Sequence, residues 1–307
     1  MRTLSRLCLA LGVCLLAPAA NAHGMASDGA GPGWTWDPWI TGPLALSAGL
    51  FMVGWARLRR RSRHGGERLQ RRAALFAGGW LTLAAALVSP LHQAGERAFS
   101  AHMIEHELLM LLAAPLLVLS QPLSAMIWAF PTTLRHKLGA LARRAPLSSL
   151  WRVFTEPVTA TLAQAAALWL WHMPFLFDLA LASDGWHIAQ HLSFLVTALF
   201  FWTAMLRPAR AHRGIAVLCL FATSVISGAL GALMAFSESP WYAGYAAMGL
   251  APFGLTAAED QQIAGLLMWI PGGLVHAGAA LALVGVALKT SAASQDAEGR
   301  TADALQS

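Results

Sequence analysis

Seven apolar stretches, each near the roughly 20 residues that cross about 30 Å of hydrocarbon, decide what this chain can fold into. They run at about Ile40 to Ala56, Ala73 to Leu91, His102 to Leu119, Val158 to Phe177, Trp186 to Leu206, Ile215 to Phe236 and Gln262 to Leu288. With 57% hydrophobic and 12% charged residues and a mean hydropathy of +0.54, the 307-residue chain is too apolar for a soluble domain. Backbone groups inside lipid must find their partners within the segment. The predicted fold is therefore all-α, a polytopic integral membrane bundle of about seven transmembrane helices.

The N-terminus reads as a cleaved secretory signal. Arg2 and Arg6 precede an apolar run from Leu7 to Ala17, and Ala20-Asn21-Ala22 supplies a small-x-small cleavage site. The expected organisation is a signal peptide at 1–22, a short outer segment at 23–39, a membrane domain at 40–289 and a polar, disordered tail at 290–307. Lys and Arg alternate between the loops. The segments Arg57 to Arg72, Arg135 to Arg152 and Arg207 to Arg213 are basic, whereas those around His92, Asp178 to Gly185 and Ser237 to Gln261 carry almost no basic residue. The positive-inside rule then places the basic loops and the C-terminus in the cytoplasm of a bacterial cell, with the mature N-terminus periplasmic and the protein in the inner membrane. Orientation accounts for the net charge of +6, and nothing in it calls for nucleic acid.

This orientation sorts the histidines. His92, His102, His106, His172, His187 and His191 fall at or near the outer ends of their segments, while His64, His136 and His212 lie in basic loops. Two pairs stand out, His102/His106 and His187/His191. An i, i+4 spacing puts both imidazoles on one helical face, so the pairs can converge on one metal ion. The zinc-protease pattern H-E-x-x-H fails, because Glu105 precedes the second histidine and the second pair has no acid. The competing reading of each histidine is an interfacial side chain with a wet polar tip.

Cysteine usage narrows the metal. Cys8 and Cys14 leave with the signal peptide and Cys219 falls at the cytoplasmic end of its segment, so no thiolate serves the outer face. Imidazole, thioether and carboxylate remain: Met103 beside His102, Met173 beside His172, Met110 beyond His106, and Glu105, Asp178, Glu259 and Asp260. Imidazole with thioether suits copper, above all Cu(I), although methionine is also common core filler. After cleavage, His23 would offer an amine and a ring nitrogen to a cupric ion; an ordinary disordered terminus is the simpler reading. Bis-histidine ligation of a b-type haem is a rival use of the same residues.

Several ordered blocks resemble a known family. They are His102-Met103-Ile104-Glu105-His106-Glu107-Leu108-Leu109-Met110 with Ala114 to Leu119, Trp171-His172-Met173-Pro174 with Asp178, His187 to His191 running into Phe200-Phe201-Trp202, and Glu259 to Gln262 with Gly265 to Gly273. Together they resemble the multi-span CtaG family of cytochrome c oxidase assembly factors associated with caa3-type oxidases, and the likeness covers nearly all of the mature chain. The resemblance implies a non-enzymatic partner of a haem-copper oxidase subunit that helps its metallation through copper. The positions it carries over are His102, His106, His172, Asp178, His187, His191, Asp260, Gln261, Met268, Trp269 and Pro271.

On that footing His102, His106, His187 and His191 are expected to hold the metal and His172 to close the ligand set. Asp178 and Asp260 are expected to orient imidazoles, with loop capping as the plainer role for Asp178. Pro271, among Gly265, Gly272 and Gly273, predicts a kink in the last helix. His276 lies just beyond it, either as a buried ligand or relay or as a packing residue. A path through Met268 and His276 would instead favour a copper permease or resistance protein.

Overall fold

The computed structural model describes residues 33–61, 65–208 and 212–306, and these are built from helices and turns. The signal segment and His23 lie outside the described residues. Six helices are long and apolar enough to cross a membrane: α1 (Pro38–Arg61), α2 (Gly66–Val88), α4 (Phe99–Ser120), α10 (Asp184–Leu206), α11 (Arg213–Ala235) and α13 (Ala257–Gln306), the last through its stretch Ala257–Thr290. Shorter helices connect them: α3 (Pro90–Gly95), α5 (Pro122–Met126), α6 (Thr132–Ala142), α7 (Ala145–Phe154), α8 (Pro157–Trp171), α9 (Pro174–Ala182) and α12 (Ala243–Ala247). Leu46, Leu81, Leu162, Leu218 and Leu281 stand exposed on the outside of the bundle. Apolar surface of that kind is unremarkable where lipid replaces water as solvent.

The fourth expected span, Val158 to Phe177, is not one helix. α8 ends at Trp171 and α9 sets off after a 74° bend. Pro174 stands at the break as the first residue of α9, and the extended Met173 before it is the conformation that a following proline favours. The pair counts as a seventh span only if the two pieces are taken together.

A second proline marks a distortion rather than a break. Inside α4, residues Leu108–Ala113 form a π-helical turn, in which the Ala114 N–H reaches back five residues to the Leu109 carbonyl. Pro115 is the next residue. In this widened register the Met110 carbonyl points at a residue with no N–H, and the Trp202 indole Nε1–H donates to it instead at 2.8 Å. The packing of α10 on α4 thus answers a defect that Pro115 creates.

Pro271, where a kink is expected, does not end the last helix. α13 runs as one helix from Ala257 to Gln306, through Pro271 and on through the segment expected as a disordered tail. Close packing on α11 supports the proline turn: a Cβ at Gly231 would lie 2.7 Å from the Gly265 carbonyl oxygen and 3.0 Å from the Trp269 Cβ. Small residues let two backbones approach this closely, which is how membrane helices bind one another when burial from water contributes little.

The basic segment from Arg135 to Arg152 folds as α6 and α7 rather than as a plain loop. α7 exposes Leu147, Leu150, Trp151, Val153 and Phe154 next to Arg143, Arg144 and Arg152, the pattern of a helix that lies along a membrane surface. At the same end, Arg57 donates to the Trp128 and Ala129 carbonyls at 3.1 and 2.8 Å, tying α1 to the turn after α5.

Candidate metal centre

The site lies where the first turns of α4 and α10 meet below α3. Ala98, which precedes α4, has no side chain with which to cap it. Asp260 of α13 does so from across the bundle, accepting from the Phe99 N–H at 2.6 Å and from the Ser100 hydroxyl. A carboxylate on the free amides of a helix N-terminus is favoured by charge as well as by hydrogen bonding. The start of α4, and with it His102 and His106, is thereby held to α13. Gly95 permits the close approach of α3, since a Cβ there would meet the His102 Cα at 3.2 Å and Glu105 Oε2 at 3.4 Å.

Three imidazoles converge. Ring nitrogens of His102, His106 and His191 all lie within 4.8 Å of one another, and all three residues are buried. Their ring centroids are 4.3, 4.9 and 5.6 Å apart. His187 packs at the rim, 4.4 Å from the His191 ring and 5.3 Å from that of His102. The triad's rings meet edge to face or tilted, and centroids this close leave no room for a porphyrin between them.

A carboxylate that the spacing argument set aside completes the cluster. Glu105 Oε1 accepts a hydrogen bond from His92 Nδ1 at 2.7 Å and stands 3.3 Å from His191 Nε2. Burial disfavours the charged form of His92, but the hydrogen bond to Glu105 outweighs it and raises the His92 pKa above its ordinary value of 6.5. His191 is different. Its Nδ1 donates to the His187 carbonyl at 3.1 Å, which leaves Nε2 facing the carboxylate. A proton on Nε2 or a metal ion bound between the two groups would each satisfy that contact.

The neighbouring atoms repeat the pattern. His102 Nε2, both ring nitrogens of His106, His187 Nε2 and Glu105 Oε2 are buried with no hydrogen-bond partner. Buried polar groups in folded proteins nearly always have one, and a cluster of imidazoles without one is a donor set able to hold a metal ion. The residues present fit such an ion.

His172 stands beside this triad rather than in it. Its Nδ1 donates to the Leu168 carbonyl at 2.7 Å, which leaves the Nε2 lone pair 3.5 Å from the Met103 sulfur. Met173 is exposed. Neither aspartate orients an imidazole. Asp178 accepts from the Ala243 and Gly244 amides at 3.3 and 3.1 Å and so fixes the start of α12, while Asp260 caps α4 as described. Met268 and His276 line a separate cavity deeper in the bundle. The sequence reading missed His92 and Glu105 as members of the site; the only signal it offered was the acid beside His106.

No curated protein and no solved structure matches the chain. The family model described as cytochrome c oxidase caa3 assembly factor (Caa3_CtaG) matches residues 49–289, which takes in α4, α10, the site between them and the membrane bundle through Lys289. The chain, a membrane protein with a buried histidine cluster, belongs to the cytochrome c oxidase caa3 assembly factor family.

Proposed function

We propose that the cluster binds copper at the periplasmic face of a bacterial inner membrane and passes it to a haem-copper oxidase subunit during assembly. The observation that carries this reading is the convergence of the His102, His106 and His191 nitrogens within 4.8 Å, buried and without other partners. Neutral imidazoles suit copper, and the facing pair of His172 Nε2 and Met103 Sδ adds a further nitrogen and a thioether beside them, which favours Cu(I). His187 at the rim is the natural first or last contact of an ion entering or leaving. Glu105 supplies one negative charge, enough to neutralise a monovalent cation without trapping it in a site of high charge. The scarcity of basic residues in the loops at this end, where Arg97 stands between α3 and α4, supports an outer position for the cluster.

The test is anaerobic Cu(I) loading of the detergent-purified protein, comparing wild type with His106→Ala/His191→Ala by metal content and visible spectrum. The double variant is expected to hold one equivalent less, and no Soret band is expected in either. Equal copper in both proteins, or a haem spectrum, overturns the assignment. In cells lacking the protein, the oxidase is expected to accumulate short of copper and to recover when wild type, but not the double variant, is restored.

A further inference from the structure

One helical turn beyond His106, a cavity of about 30 Å³ opens inside the bundle, lined by Glu107, Met110, Gln164, Met268 and His276. Several of the polar atoms it presents are without a hydrogen-bond partner. His276 Nδ1, Glu107 Oε2 and Gln164 Oε1 are buried with no partner. The Gln164 amide NH₂, which could have donated, is directed at the Met110 sulfur at 3.1 Å. The Thr223 and Ser227 hydroxyls on the wall use their protons on the Cys219 and Thr223 carbonyls, each at 2.8 Å, and so also offer lone pairs.

A chamber of lone pairs with one carboxylate, deep among membrane helices, is complementary to a cation. Two thioethers and an imidazole are soft donors and favour Cu(I) or Ag(I) over the hard ions Mg²⁺ and Ca²⁺, which take six or more oxygen ligands. A carboxyl group buried without a partner stays neutral, so Glu107 would release its proton as the ion enters and then balance one positive charge, whereas a divalent ion would leave an uncompensated charge in a medium where that is costly. The volume is that of a single small occupant. The walls are also fixed: the His276 ring lies parallel to Trp202 at 5.8 Å, and the same Trp202 anchors the Met110 carbonyl in the π turn. Turns of this kind recur at functional sites because they re-aim side chains.

We propose that this chamber is a second, inner binding site for a soft monovalent metal ion, with Met110, Met268 and His276 as ligands and Glu107 as counter-charge. The inner site stands on its own donors and does not depend on copper at the histidine cluster. Occupied together, the two sites would form a two-step path for the ion along α4.

The experiment is an anaerobic Cu(I) titration of the full-length, detergent-purified protein in four forms: wild type, His106→Ala/His191→Ala, Met110→Leu/Met268→Leu, and all four changes combined. Leucine keeps the volume of methionine and removes the sulfur, so the fold is expected to persist. The inner pair of changes is expected to remove one equivalent of copper both from wild type and from the outer double variant. If it removes none in either background, the inner site is overturned, whatever the outer variant does. If the outer variant alone loses nothing, the histidine reading fails and the inner site survives. Copper K-edge X-ray absorption of the His106→Ala/His191→Ala protein gives a second readout that needs no methionine variant. Sulfur neighbours are expected, and a shell of nitrogen and oxygen alone overturns the proposal.

Discussion

Glu105 Oε1 on α4 lies 3.3 Å from His191 Nε2 on α10, the ring nitrogen that the contact of Nδ1 with the His187 carbonyl leaves facing it. The same oxygen holds His92 at 2.7 Å, so one carboxylate links three elements. Glu105→Gln keeps the shape and removes the charge. Copper affinity is expected to fall by roughly 10- to 100-fold, the usual cost of losing a partner that orients ligating histidines, with stoichiometry retained at high copper. A competitive titration against a Cu(I) chelator measures it, and unchanged affinity would mean that Glu105 has no part in binding.

His92 gives the apo protein a pH signature. Its pKa is raised in the folded state, so the pairing with Glu105 contributes fully below the unfolded value of about 6.5 and is lost as pH rises through the folded value. The gap in melting temperature between wild type and His92→Gln is therefore expected to be wider at pH 6 than at pH 9. A gap that grows with pH has the wrong sign and would sink the ion-pair account.

The two aspartates should separate cleanly. Asp260→Ala leaves the Phe99 and Ser100 amides at the start of α4 without their acceptor, a loss of about 1–2 kcal/mol that should also loosen His102 and lower copper occupancy. Asp178→Ala frees only the start of α12, and copper binding is expected to stay at the wild-type level. Equal effects of the two changes on copper would contradict this division.

Gly265→Ala tests the α11–α13 contact. The new Cβ would sit 2.5 Å from the Gly231 carbonyl oxygen and 2.6 Å from the Ala235 nitrogen, both backbone atoms that cannot yield as a flexible side chain would. About 1–3 kcal/mol of destabilisation is expected, read as a lower melting temperature in detergent. The histidine triad does not touch this contact, so copper stoichiometry in the surviving folded fraction should not change.

The helices were legible in the sequence because lipid imposes length and apolarity segment by segment, and the i, i+4 pairing placed His102 and His106 on one face of α4. What escaped was long-range. Asp260 meets the Phe99 amide 161 residues away, and no spacing rule encodes that meeting. Glu105 could be read as a protease base or as one of several outer carboxylates, but nothing in its spacing pointed to its partners His92 and His191, which come from α3 and α10. Pro174 and Pro271 look alike in the sequence, yet one stands where a helix breaks and the other does not. The difference lies in the neighbours: Pro271 belongs to a helix braced by α11 through Gly231 and Gly265, while Pro174 opens a new helix after the chain has already turned.

That turn has a consequence for the surrounding bilayer. The 15 residues of α8 rise roughly 22 Å, well short of a hydrocarbon layer of about 30 Å, and the chain leaves sideways at His172. Lipid next to a short helix thins to match it. An aqueous boundary that dips beside the histidines is the expected consequence, and it would let a soluble partner reach them without itself entering the membrane.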